Sequence, residues 1–195
     1  VTDPERVYIA AEDPGMGVED NVRISKYDVR PMRDRYPRWD SLPKDRRKEL
    51  LTGEAEPVAV DTTHNITTEY FWSYIARLLN DRNDYDRVVD PPAHIVFADD
   101  PGPFSLGDSE FTAGSDLGRV VLTDPRNVAN EWRANELVGA LELNGKTLES
   151  LAIETESGEY WNLTELPDAA EVDQKTSEEA LVVEVILPVN DASYS

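Results

Sequence analysis

From residue 93 onward the chain consists of short apolar runs cut by turn signals, and that punctuation restricts the fold more than any other feature. His94-Ile95-Val96-Phe97-Ala98 ends at Asp100-Pro101-Gly102, and Arg119-Val120-Val121-Leu122 ends at Asp124-Pro125. Residues 137–143 and 147–153 flank Asn144-Gly145, a dipeptide whose ease with positive φ predicts a hairpin. Residues 159–166 and 181–189 add two further runs. Runs this short, rich in β-branched residues, suit strands rather than helices. The expected class is therefore mostly β (α+β), a β-sandwich or barrel-like domain.

One helix belongs with it. Tyr70, Phe71, Tyr74, Ile75, Leu78 and Leu79 recur at helical spacing and predict an amphipathic helix over 68–81, capped by Asn65 or Thr67, with that stripe in the core. The region before it reads differently. Residues 5–11 predict a strand closed by Asp13-Pro14-Gly15, and Val22, Ile24 and Tyr27 a second extended piece. Residues 30–39 hold two prolines without a period. Ser41 reads as the N-cap of a short helix opened by Leu42-Pro43 and ended by Gly53; its few apolar residues, Leu42, Leu50 and Leu51, suggest a docking element. Residues 54–64 read as linker. The expected division is an extended, basic-rich N-terminal arm over 1–60 and a helix-plus-sandwich domain over 61–195.

Charge supports that division. The chain carries 40 Asp and Glu against 19 Lys and Arg, a formal net of −21. Residues 1–53 balance to zero, so the whole deficit lies beyond them, and residues 23–48 carry +6. Dense surface carboxylates keep proteins hydrated in concentrated salt, which points to a halophilic source, a haloarchaeon or one of its viruses. The basic residues Arg23, Lys26, Arg30, Arg33, Arg35, Arg38, Lys44, Arg46, Arg47 and Lys48 are the expected partner-binding set of the arm. Phosphate contacts weaken steeply with salt, so an acidic protein, not nucleic acid, is the expected partner.

The usual signatures of catalysis do not assemble. Without cysteine there is no disulfide and no thiolate chemistry. His64 and His94 lie far apart with no metal-ligand spacing. Gly-x-Ser-x-Gly, the P-loop and the dinucleotide fingerprint do not occur. No catalytic residue and no cofactor is expected, and the chain reads as a non-enzyme. Asp99, Asp100, Asp108, Glu110 and Asp116 crowd one loop that offers oxygens to Ca²⁺ or Mg²⁺, without EF-hand spacing. Asn65-Ile66-Thr67 and Asn162-Leu163-Thr164 are glycosylation sequons. Trp39, Trp72, Trp132 and Trp161 offer either a sugar platform or core packing, the latter favoured. No apolar run approaches a membrane span, and the polar start carries no signal-peptide pattern.

Over residues 65–189 the order of elements resembles virion structural modules of tailed viruses, tail-fibre and baseplate proteins above all. The resemblance rests on an Asn-led helix (Asn65-Ile66-Thr67-Thr68-Glu69-Tyr70-Phe71-Trp72) and an apolar strand (Ala93-His94-Ile95-Val96-Phe97-Ala98). It continues through the acidic loop Phe104-Ser105-Leu106-Gly107-Asp108, the strand Arg119-Val120-Val121-Leu122 and Leu148-Glu149-Ser150-Leu151-Ala152-Ile153. It closes with a last strand after Lys175-Thr176. It implies a non-enzymatic subunit of a symmetric homo-oligomer (trimer, pentamer or hexamer) in a haloarchaeal virus particle assembled in the host cytoplasm. The implied partners are copies of itself, other acidic virion proteins and the host surface. A capsid turret or decoration protein fits the same residues, and a cellular halophilic carbohydrate- or cation-binding β domain is the competing class.

Overall fold

In the computed structural model, residues 22–63, 66–80, 90–105, 107–123, 125–128, 131–166 and 174–188 are described. They form two antiparallel five-stranded sheets. Sheet I has the order β2 (Ala59–Thr63), β1 (Val22–Asp28), β10 (Glu179–Pro188), β7 (Glu131–Val138), β6 (Arg126–Val128). Sheet II runs β3 (Ile66–Thr67), β9 (Asn162–Glu165), β8 (Ser150–Thr155), β4 (Pro92–Ala98), β5 (Asp116–Val121). The protein is mostly β, as the punctuation of the sequence predicts.

Alternation along the central strands builds three apolar layers. Val22 and Ile24 of β1, Val183 and Val185 of β10 and Ala134 of β7 meet Ile95 and Phe97 of β4 and Leu151 and Ile153 of β8 in the core between the sheets. Each fully buried Val, Leu, Ile or Phe stabilises by about 1.5–3 kcal/mol. The opposite faces are also covered. Tyr27, Leu137, Ala180 and Val182 on the outer face of sheet I pack with Met32, Trp39, Leu50 and Leu51. Val96, Ala98, Ala152 and Leu163 on the outer face of sheet II pack with Phe104, Phe111 and Tyr160.

The cover on sheet I comes from helices α1 (Arg30–Arg35) and α2 (Lys44–Glu54), joined by a 3-10 turn at Trp39–Ser41. This corrects the expected arm. Within 1–60, the described residues 22–60 belong to the sandwich: β1 is paired on both sides, Ile24 with Val183 of β10 and with Asp61 of β2. A strand bonded along both edges is central to its sheet and has no freedom to reach outward. The docking helix expected over 42–51 does dock, but on its own sheet. Ser41 lies in the 3-10 turn, and Pro43 takes the N-cap position of α2 without a side-chain cap. The predicted strand over 5–11 lies outside the described residues.

Helix α3 (Glu69–Asn80) lies over one end of the core. Its cap is Thr68, whose hydroxyl accepts from the Phe71 amide at 3.3 Å and donates to the Tyr160 carbonyl at 2.5 Å. Phe71 is fully buried, with Tyr70 and Tyr74 packed beside it. Ile75, Leu78 and Leu79, the rest of the expected stripe, lie outside the described side chains. The expected hairpin at Asn144-Gly145 is also corrected. Gly145 has φ +73, as that dipeptide favours, but β7 before it pairs with β10 in sheet I and β8 after it with β4 in sheet II. The turn carries the chain from one sheet to the other.

Candidate functional site

The basic residues of 23–48 are largely engaged within their own chain. Lys26, buried in β1, meets Glu179 at 3.4 Å. Arg30 bridges Asp28 at 2.7 Å and Glu178 at 3.4 Å. Arg33 binds Asp40 at 3.0 Å and donates to the Ser177 carbonyl at 3.1 Å. Arg35 reaches Glu54 at 2.5 Å, and the Tyr36 hydroxyl donates to the same carboxylate at 2.8 Å. Hydrogen bonds from Tyr36 and Arg35 hold the Glu54 carboxyl below its ordinary value. Lys44 meets Glu142 at 3.5 Å, Arg46 pairs with Glu49, and Lys48 donates to the Asn135 carbonyl at 2.5 Å. The Arg47 guanidinium lies against Gly139. Arg23 and Arg38 are exposed. The cationic segment thus binds acidic residues of its own fold, several of them far along the chain.

Of the five acidic residues expected to gather a cation, Asp99 and Asp100 are adjacent after β4, Asp108 and Glu110 lie in the loop that follows, and Asp116 begins β5. Asp100 is nearly buried and accepts from the Thr112 amide at 2.6 Å and the Gly102 amide at 3.1 Å. Burial pushes its carboxyl up, but the amides of Thr112 and Gly102 together outweigh it and hold it below the ordinary 3.8. Asp108 accepts from the Ser105 amide at 2.7 Å, and Asp116 pairs with Arg119. Asp99 and Glu110 are exposed. Asp99 and Asp100 line a shallow open depression of about 350 Å³ with Pro101, Thr112, Ala113, Gly114 and Ser115. Among the described residues no three acidic or histidine side chains come together as metal ligands. Two of the five, Asp100 and Asp108, spend their oxygens on loop amides, and Asp116 spends its on Arg119.

The densest charged group was not legible from spacing. On the outer face of sheet II, Arg119 of β5 holds both oxygens of Glu154 of β8 at 2.8 and 2.9 Å, reaching across β4. His94 of β4 lies between them, its Nδ1 3.3 Å from the same carboxylate. Hydrogen bonding to Glu154 raises the Arg119 pKa. A bidentate pair of this kind clamps three strands together. A second carboxylate clamp ties the start of β4: Asp90 accepts from the Tyr70 hydroxyl at 2.6 Å, and from the Ser157 amide at 2.9 Å and hydroxyl at 2.6 Å. Glu136, buried on the inner face of β7, accepts from Thr123 through its amide at 2.5 Å and its hydroxyl at 2.9 Å, linking the two sheets.

Other candidates resolve into packing. Trp132 and Trp161 stack edge to face at 5.5 Å in the central core, and Trp39 is buried under α2. Trp72 is partly exposed, with its indole N–H donating to the Thr67 hydroxyl at 2.9 Å. Asn162 is fully buried, accepting from the Ile153 amide at 2.8 Å and donating to the Thr164 hydroxyl at 2.9 Å, so its sequon is closed to glycosylation in the fold. Asn65 and His64 lie outside the described residues. No helix among the described residues is long and apolar enough to cross a membrane.

With both outer faces covered, exposed apolar surface is concentrated elsewhere. Val58 and Val60, 59% and 42% exposed, lie at and beside β2, the margin of sheet I. Val121, 59% exposed, ends β5 at the margin of sheet II, and Leu141 stands out from the turn after β7. No family model matches this chain, and no curated protein and no solved structure matches it significantly.

Proposed function

We propose that this protein is a non-enzymatic structural subunit of a haloarchaeal tailed-virus particle, of the tail-fibre or baseplate type, that works as a symmetric oligomer. One observation carries the assembly part of this reading. Both outer faces of the sandwich are sheathed by the chain's own helices and loop, whereas the sheet margins display Val58, Val60 and Val121 to solvent. Apolar side chains held in solvent on an otherwise acidic surface suit contact with another molecule. The exposed valines Val58, Val60 and Val121 in a chain of net charge −21 suit lateral contact with neighbouring subunits. The resemblance over residues 65–189 supplies the virion setting, and the acidic surface suits assembly in concentrated salt.

The internal pairing of the basic residues changes the expected mode of attachment. Copies of this chain and other acidic virion proteins are still its partners, but the contact runs through the sandwich margins instead of a cationic arm. Light scattering on the purified full chain in about 3 M KCl tests this. A mass of several chains is expected, and a monomer at all accessible concentrations overturns it. The virion setting is tested separately by probing gradient-purified virus particles with an antiserum to the protein. Signal in infected cells but not in particles overturns that part.

A further inference from the structure

We infer that copies of this chain join head to tail, the exposed Leu141 of one seating in the depression beside Asp99 of the next. This rests on the oligomer reading above and deepens it by naming two surfaces that meet. Leu141 is 71% exposed, more than any other large apolar side chain among the described residues. Its turn is held at three points. The Gly139 amide donates to the Glu142 carboxylate at 2.5 Å, the Glu142 amide to the Gly139 carbonyl at 3.1 Å, and the Lys175 ammonium to the Ala140 carbonyl at 2.7 Å. A side chain presented from so fixed a turn has little backbone freedom to lose on docking. Beside it, Arg47 of α2 sets a guanidinium nitrogen 3.2 Å from where a Cβ on Gly139 would stand. Among the described residues no carboxylate pairs with that guanidinium, and its Nε is buried without an acceptor.

The depression has the complementary character. It opens between the end of β4 and the start of β5 and holds about 350 Å³. Pro101, Ala113 and Gly114 give it an apolar lining, and a Cβ on Gly114 would meet nothing within 4 Å. Its frame is fixed as well: the Asp99 amide donates to the Ser115 carbonyl at 3.0 Å, and both Asp100 oxygens are taken by loop amides. The Asp99 carboxylate is exposed and makes no ion pair among the described residues. An unpaired cation thus flanks the leucine, and an unpaired anion flanks the depression. In a chain of net charge −21 most alignments of two copies set carboxylates against each other, whereas this one answers Asp99 with Arg47. A pair shut away from solvent is also screened less by salt than an exposed one. Because the two patches differ, the contact is heterologous, and repeating one rotation closes it into a ring.

The test uses the full chain in concentrated KCl, with mass read by light scattering and the fold checked by circular dichroism. Leu141→Glu spoils the leucine and keeps the depression, whereas Ala113→Arg fills the depression and keeps the leucine. Both positions are exposed, so both variants are expected to fold. Each alone is expected to run as a single chain. Mixed in equal amounts they should form a pair of chains and nothing larger, since one good contact remains between them. A wild-type oligomer that neither variant moves, or a mixture that stays single, overturns this contact and leaves the oligomer reading standing. A monomeric wild type overturns both. If either variant does not fold, the charges decide: Asp99→Arg should weaken the contact by roughly threefold, and adding Arg47→Glu should restore it. No loss from the first change, or no recovery with the second, overturns the contact.

Discussion

The two outer faces of the sandwich are covered in opposite ways, and each cover hides a charge of opposite sign. Sheet I is roofed by helices from the only cation-rich stretch of the chain, and at the rim of that roof Lys175 is fully buried, its ammonium donating to the Ala140 carbonyl at 2.7 Å. Sheet II is roofed by an acidic loop, and under it Asp100 is nearly buried, accepting from two backbone amides. Among the described residues the buried ammonium bonds to one carbonyl, and burial disfavours its charged form; the buried anion is solvated by fixed N–H dipoles. A carboxylate-rich chain can therefore roof a sheet with acids wherever loop amides point inward. Where helices form the roof, their amides are already bonded and cations must close the rim.

The largest expected effect breaks the helical roof. Trp39 is almost fully buried among Tyr27, Met32, Leu51 and Leu137, and Trp39→Ala should cost about 4 kcal/mol in urea unfolding. Phe111→Ala, which removes the ring 5.8 Å from Phe104 and 5.2 Å from Tyr160, should cost about 3 kcal/mol, because an exposed loop can settle into the space left behind. A Phe111 variant weaker than the Trp39 variant would reverse the ranking of the two roofs.

Lys175 gives the next effect. Burial pulls its pKa from 10.5 down to about 8; Glu142 and Glu179 oppose the shift and Arg33 adds to it. The unfolded chain then binds more protons than the folded one between those values, so stability rises with pH across that window. The rise amounts to about 3 kcal/mol. Tyr27, Tyr74 and Tyr160 act the other way: burial raises them above 10.0, so the unfolded chain ionises first and stability falls beyond that pH. Lys175→Met should abolish the rise while keeping the later fall. If both proteins show the same slope between pH 8 and 10, Lys175 is not the titrating group.

How far sequence reached follows the same division between local and distant causes. The central strands β1, β4 and β10 were legible because both their faces are buried, leaving strong apolar runs such as Ile95-Val96-Phe97-Ala98. The edge strand β2 was read as linker, since Ala59-Val60-Asp61-Thr62-Thr63 has no fully buried position, and β3 and β6 are too short to carry a period. Asn144-Gly145 announced a turn through its own backbone preference, but a dipeptide does not encode which sheets its neighbours join. The cations announced themselves as a cluster, while their partners Glu142, Glu178 and Glu179 arrive from beyond residue 140 and are invisible to local counting. The same limit hid the Arg119–Glu154–His94 clamp, whose members come from three strands. The margin valines could have been found by asking which apolar residues sit in a weakly alternating run.

The smallest effect sharpens the comparison from the acidic side. Asp100→Ala leaves the amides of Gly102 and Thr112 without their acceptor and should cost about 2 kcal/mol at neutral pH. Because the folded pKa lies below 3.8, the contribution is present above that value and is lost as pH falls through the folded one. Wild type and variant should therefore converge in urea midpoint on acidification. Curves that stay parallel down to the acid transition would mean the loop amides do not hold Asp100 as an anion. The acidic roof would then have to be explained by its aromatic contacts alone.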